Sequence, residues 1–589
     1  MEKSATDQWM PGPEDPGVLQ KTAISERGRE QLIAGLKEVA RGLRLFERAR
    51  EQAEPLPQDD TPTELSPLSA VAIAQAEAGL FAQALKTHPP SVSPSESCWD
   101  LVTPRIAKIM AEYGFGGWAL PLIEKMAPAV KGTEAESNRL LNVLRVIADA
   151  QQQAGESTER TRTLMVQIIK DGRESFMSHL NRVEWCLQYG LAEEAGQFLD
   201  EIKDPTERES FSVRIALAQY VRKPGSGALK TLIAAMKRSS NAIVIREALH
   251  QFAEVGDTSA IQTIESALLY SGWLTWIIGV SDTNIGVNDE DINAARAIAE
   301  MYRGNRSKAD DALGLITNPV YQRDVLLKMA RIELAKGDID AASQRIPTIE
   351  KLSPLAYEEI KQLEIGCVAK AIEIKQFVVA KLLLNKVHDP SARSTLLQQY
   401  AIAFGQSGGE IENELQQLRE QRWQTLESNR IDVLNVYLAI GRFKDAETLI
   451  GALLRFRMNK EDYTHRLALA FLAHDQLESA TRLLTKIRSS KYRDAVLEGI
   501  AEFHAEHGVE MDISTVVDAM SAPEAKCRAL ANAGKIFVHK GLAPEEIYEM
   551  TIAQAKAVVL GGDTEAIGAL KILRPDIIER LEKSPDIKK

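Results

Sequence analysis

Apolar residues recur at helical intervals along most of the chain, as in Leu326, Leu327, Ala330, Ile332 and Leu334 ahead of Gly337, and strand-like alternation is nearly absent. The pattern predicts helices throughout, and their lengths are set by punctuation. Glycine or another turn residue closes helical runs at Gly304, Gly337, Lys375, Gly408, Gly441, Asp475, Gly508 and Gly541, at spacings of 33, 38, 33, 33, 34, 33 and 33 residues. Upstream the series runs through Gly79, Gly117, Gly155, Gly190, Lys223 and Gly256 at spacings of 38, 38, 35, 33 and 33. Only the interval from Gly256 to Gly304 breaks register.

Other residues keep fixed offsets from these turns. Alanine recurs five positions later, as Ala84, Ala195, Ala309, Ala342, Ala380, Ala446 and Ala480, placing a small side chain early in a second helix where two helices approach closely. Proline follows fifteen after the turn at Pro205, Pro319, Pro390 and Pro523, a position that stops one helix and starts the next. Arg208, Arg323, Arg393 and Arg493 then occupy the first turn of the following helix, with Ser490 replacing proline in the last case. Each unit reads as helix, glycine turn, helix and loop. One such hairpin cannot bury both of its apolar faces, so neighbours must stack into a continuous, elongated core.

Glycine with alanine five later, on a period of about 34 residues, resembles the tetratricopeptide repeat (TPR) in degenerate copies. The clearest copies are Gly441-Arg442-Phe443-Lys444-Asp445-Ala446 and Gly337-Asp338-Ile339-Asp340-Ala341-Ala342, the latter with Pro354 at the family's terminal proline position. The resemblance implies an all-α, right-handed α-solenoid of about 13–14 stacked hairpins. It also implies a groove, lined by the first helices, that holds a peptide or a partner helix. The repeat-defining residues are Gly79, Ala84, Gly190, Ala195, Gly304, Ala309, Gly337, Ala342, Gly441, Ala446 and Ala480.

The remaining segments divide the chain further. Residues 1–25 carry Pro11, Pro13 and Pro16 and read as a flexible tail. Residues 26–54 form an amphipathic helix with Leu32, Ile33, Leu36, Val39, Leu43 and Phe46 on one stripe; it either caps the N-terminal repeat or serves a partner or membrane surface. A Pro-rich linker at 55–67 precedes the array at 68–560, and 561–589 reads as a C-terminal cap and tail. Within the irregular segment 257–303, Tyr270, Trp273 and Trp276 are either interface anchors or large core fillers. Arg455 and Arg457, with Phe456 between them, have the look of a nucleic-acid contact or of a solvated helix end.

Charge and chemistry narrow the function classes. The net charge of −12 disfavours a general phosphate-binding surface, so nucleic acid is not the expected partner. No apolar run reaches the roughly 18 residues needed to cross a bilayer, and no signal-like segment opens the chain, which predicts a soluble cytoplasmic protein without a transmembrane segment. Cys98, Cys186, Cys367 and Cys527 are scattered, without metal-finger spacing, and fit a reduced compartment. The phosphate-loop, dinucleotide, nucleophile-elbow and HExxH patterns are missing, and His504 with His507 lacks an evident third ligand. The expectation is therefore no catalytic, cofactor or metal residues and no enzyme activity. A scaffold, adaptor or regulatory subunit binding a polypeptide is the leading function; the alternatives are an RNA-binding helical-repeat protein, or a sensor component of a signalling or defence assembly.

Overall fold

The all-α expectation holds. The computed structural model contains thirty-two helices and no strand among its described residues, which are 25–57, 66–89, 102–127, 134–171, 179–239, 242–269, 289–353, 356–421, 426–453 and 460–582. The chain divides into two compact units, Met1–Phe176 with Asn459–Lys589, and Met177–Met458.

In the first unit α1 (Glu26–Ala53) precedes the hairpins α2/α3 (Pro67–Glu77, Phe81–Thr87), α4/α5 (Val102–Glu112, Gly116–Met126) and α6/α7 (Glu134–Gln153, Glu159–Asp171). The second unit holds α8/α9 (His179–Gln188, Ala192–Leu199), α10/α11 (Pro205–Arg222, Ser226–Arg238), α12/α13 (Ala242–Glu254, Thr258–Leu269) and α14/α15 (Asp289–Tyr302, Arg306–Gly314). It continues through α16/α17 (Pro319–Ala335, Ile339–Leu352), α18/α19 (Tyr357–Glu373, Phe377–Leu384), α20/α21 (Pro390–Gln406, Glu412–Arg419) and α22/α23 (Leu426–Ala439, Phe443–Leu453). The first unit resumes with α24/α25 (Lys460–Ala473, Leu477–Leu484) and α26/α27 (Ser490–Glu506, Glu510–Asp518). It ends in α28 (Pro523–Gly541), α29 (Pro544–Tyr548), α30 (Ile552–Gly561), α31 (Thr564–Leu573) and α32 (Pro575–Glu582).

Most of the hairpin turns are built the same way. At Gly337 the backbone takes φ +82°; the Gly337 amide donates to the Leu334 carbonyl and the Asp338 amide to the Glu333 carbonyl, which closes the end of α16 with two crossed bonds. Gly79, Gly190, Gly304 and Gly441 adopt the same left-handed conformation, and so do two residues that bear side chains, Lys375 (φ +61°) and Asp475 (φ +59°). Ala84, Ala195, Ala309, Ala342, Ala446 and Ala480 have no exposed surface, and each amide makes the first helical bond of its second helix, as Ala342 does to Asp338. Three glycine-series positions differ from the sequence reading. Gly117 lies inside α5 and the turn is made at Gly114 (φ +86°); Lys223 has φ −138°; and Gly541 is the last residue of α28, without positive φ. Glycine also serves close packing, so position alone does not tell the two uses apart.

Successive first helices pack on one another within each unit, as α12, α14 and α16 do in the second and α24, α26 and α28 in the first. Acids tie the junctions. Asp494 of α26 accepts from the Ser521 and Ala522 amides ahead of α28, at 2.9 and 2.8 Å, and Glu461 of α24 accepts from the Ser489 amide ahead of α26. Glu290 of α14 does the same for Thr317 and Asn318, and the Thr317 hydroxyl with those amides holds the Glu290 carboxyl below its usual range. Pro319 and Pro390 occupy the first turns of α16 and α20, where their missing amides cost nothing, behind the capping side chains of Asn318 and Asp389.

Helix α1 packs along α28, whose contacting residues are about 500 positions away in sequence, as well as touching α2 and α31. Leu36, Val39 and Phe46 of its stripe are buried, while Leu32, Ile33 and Leu43 are partly so. Gly35 faces Gly541 and Gly42 faces Gly534, so the helices run antiparallel with backbones in contact: a Cβ on Gly42 would lie 2.6 Å from the Gly534 carbonyl oxygen, and one on Gly541 would lie 2.5 Å from that of Gly35. Seven residues are two helical turns, so both glycine pairs sit on single faces. Arg44 adds a two-pronged pairing with Glu510 of α27 at 2.9 and 3.0 Å.

Candidate functional site

Tyr270, Trp273, Trp276, Arg455 and Arg457 lie outside the described residues, as does the tail before Ser25. Two surfaces of the second unit are therefore the described candidates, one on first helices and one on a second helix.

The first-helix surface spans α12, α14 and α16. Arg246, His250 and Glu254 recur at four-residue intervals on α12, and Tyr321, Asp324 and Lys328 line the facing side of α16. Between them α14 contributes Asp291, Ala294 and Ile298, all buried, and the two apolar residues make its middle a low floor under a cavity of about 170 Å3. That low floor lets Lys328 Nζ reach across α14 to Glu254 at 2.7 Å, and Arg246 Nε meets the buried Asp291 carboxylate at 3.1 Å. The His250 ring keeps an exposed side, yet the pocket walls withdraw water from it and the Lys328 ammonium repels its proton, so its pKa falls below the ordinary histidine value. Burial, with Asp291 close by, raises the Tyr321 phenol. Further along, Arg214 of α10 forks onto Glu247 of α12 at 3.0 Å through two nitrogens and reaches Glu184 of α8 at 3.5 Å. The exposed pairs, Lys328–Glu254 and Arg214 with Glu247 and Glu184, stabilise the fold little, about 0–1 kcal/mol each, and a charged partner exchanges for them at low cost.

The second-helix surface is α19, Phe377–Leu384, in which all but Lys381 of eight residues are apolar. Only Ala380 and Leu384 are fully buried. Val378 is 77% exposed and Leu382 61%, one turn apart on α19, while Ile374, 39% exposed, ends α18 on the other side of the Lys375 turn. Lys375, Lys381 and Lys386 are exposed around these side chains; Lys381 is held by the buried Glu414 at 2.6 Å. The hairpin one hundred positions on gives a direct comparison, because α24/α25 has the same turn geometry at Asp475 and the same element lengths from there. Its residues at the matching positions are His474, Glu478 and Arg482. The repeat therefore folds with polar residues there, and the apolar stripe of α19 is not required by the hairpin.

Other chemistry-bearing residues do not converge. Among the described residues no group of three His, Cys, Asp or Glu side chains is placed to hold a metal. His504 lies 3.8 Å from Asp512, while His507 stacks on Phe503 and donates through Nδ1 to its carbonyl. Burial pushes the Cys367 and Cys527 thiols up to about 11, which leaves them protonated and poor nucleophiles at neutral pH. No described helix is long and apolar enough to cross a membrane.

No protein-family model matches the chain, and no curated protein does. Solved structures similar to it are helical-repeat proteins. The maize pentatricopeptide repeat protein PPR10 is 15% identical, over 94% of this chain and 95% of that one, with a TM-score of 0.28. A signal-transduction ATPase of the STAND class with a tetratricopeptide repeat sensor, from Pyrococcus horikoshii, is 10% identical over 75% and 91%, with a TM-score of 0.20. The Naa15/Naa10 assembly bound to HypK-THB is 12% identical over 95% and 98%, with a TM-score of 0.19.

Proposed function

We propose that this chain of TPR-like helical hairpins is a non-enzymatic scaffold, adaptor or regulatory subunit that docks a polypeptide. The observation that carries the reading is the exposed pair Val378 and Leu382 on α19, with Ile374 exposed ahead of the turn, where the equivalent hairpin has Glu478, Arg482 and His474. Exposed apolar side chains at helical spacing are of use to a partner that buries them, and an RNA backbone does not. The lysines beside the stripe favour an amphipathic helix with an apolar face and acidic flanks.

The test borrows the sister hairpin's own residues. The double substitution V378E/L382R should leave helicity and melting temperature unchanged, because both positions are exposed and α25 folds with those side chains. Crosslinked complexes recovered from the native host with wild type and variant are then compared, with and without ribonuclease. The expected result is a polypeptide that the wild type retains and the variant loses, insensitive to ribonuclease. Identical protein profiles for the two, or retention that depends wholly on RNA, would sink the proposal.

A further inference from the structure

We infer that the half-open cavity lined by α1, α2, α3 and α31 in the first unit is a binding site for a small organic anion carrying a phosphate group on an apolar body. The cavity measures about 620 Å3, within the range of roughly 300–1,000 Å3 usual for sites that take small molecules. Phe46 and Ala569, both buried, and the half-buried Leu43 supply an apolar floor.

Three cations stand around that floor, each from a different helix: Arg50 in the last turn of α1, Lys86 in the last turn of α3 and Lys571 in the last turn of α31. A cation in a last turn complements the helix dipole, which accounts for each of them singly. It does not account for three such ends meeting at one cavity. Arg44, also on the wall, is already committed to Glu510 and Glu565, and Arg50 stands 3.4 Å from Glu54. The Lys86 and Lys571 ammonium groups have no ion-pair partner among the described residues. Glu510, Glu565 and Glu54 thus compensate Arg44 and Arg50, which leaves Lys86 and Lys571 facing Glu47 alone on the wall.

Several cations from separate helices suit an anion of more than one charge, which a phosphate ester carries at neutral pH and a single carboxylate does not. Two sources share this chemistry, a nucleotide and a phospholipid with a phosphomonoester headgroup. The site is distinct from the stripe of α19, and its test is independent of that reading.

The experiment is calorimetric titration of the full chain at low salt with two probes, ADP and dioctanoyl phosphatidate below its micellar concentration. Both lysines are exposed, so K86E/K571E should stay folded, with a melting temperature lowered slightly by acids at two helix ends, while weakening binding of the active probe at least tenfold. The K86M/K571M variant should fall between the two. Binding of ADP alone assigns a nucleotide-type ligand and binding of phosphatidate alone a lipid-type one. Failure of both probes to bind at millimolar concentration, or binding that K86E/K571E leaves unchanged, would overturn the inference. V378E/L382R should bind the active probe as the wild type does.

Discussion

A left-handed backbone position carries a penalty of roughly 1–2 kcal/mol for a residue with a Cβ, and glycine escapes it. Among the described residues thirteen have positive φ, eleven of them glycine; Lys375 and Asp475 are the exceptions. K375G should therefore raise stability by about 1 kcal/mol, and D475G by less, because aspartate tolerates this region better. The reverse change, G337A, should lower stability by about 1 kcal/mol. Thermal melts of the three variants check all three signs, and a K375G protein that melts below wild type would refute the account. This residue-level layer was the most legible in the sequence, since a turn needing positive φ selects glycine wherever it recurs. It failed where glycine had another purpose. Gly114, Gly116 and Gly117 crowd one junction, and only φ distinguishes the turn among them.

At the scale of elements the same residue has opposite consequences. Glycine inside a helix ordinarily weakens it by roughly 1 kcal/mol against alanine. Gly196 of α9 has open space where a Cβ would sit, so G196A should stabilise by about 0.5–1 kcal/mol. Gly42 of α1 abuts the Gly534 carbonyl and the Val538 side chain, each at 2.6 Å from an added Cβ, so G42A must force α1 and α28 apart and should destabilise by about 1–3 kcal/mol. Denaturation of the two variants side by side measures the sign reversal; equal shifts would remove the argument for backbone contact. The apolar stripe of α1 could be read from its sequence, but apolar residues do not name a partner. The matching seven-residue spacing of Gly35–Gly42 and Gly534–Gly541 does, and it becomes visible only once two distant helices are compared. The stripe of α19 was likewise hidden within a single repeat. It shows when Val378 and Leu382 are set beside Glu478 and Arg482 one hundred positions on. No pattern could have found the cavity whose walls come from α1 to α3 and from α31, about 500 residues apart.

On the scale of the whole molecule, the first unit is assembled from both halves of the sequence, and the described ends of the chain meet inside it. The Tyr548 hydroxyl accepts from the Phe81 amide at 3.0 Å and its ring stacks on that of Phe81, while Lys535 pairs with Glu77 at 3.0 Å. Neighbour-to-neighbour stacking, which the repeat period predicted, gives no warning of such pairings. They bear on the order of events during synthesis. The glycine face of α1 leaves the ribosome early, yet α28 follows only after about 490 further residues, which at about 5–20 residues per second is a wait of roughly half a minute to a minute and a half. Throughout that interval Leu36, Val39 and Phe46 have no α28 to cover them, so α1 is a natural client for a chaperone on the nascent chain. Ribosome-arrested chains ending near residue 520 should be cut by protease within 26–53, and chains carried through 589 should resist; equal cleavage of both would mean that α1 finds shelter without α28.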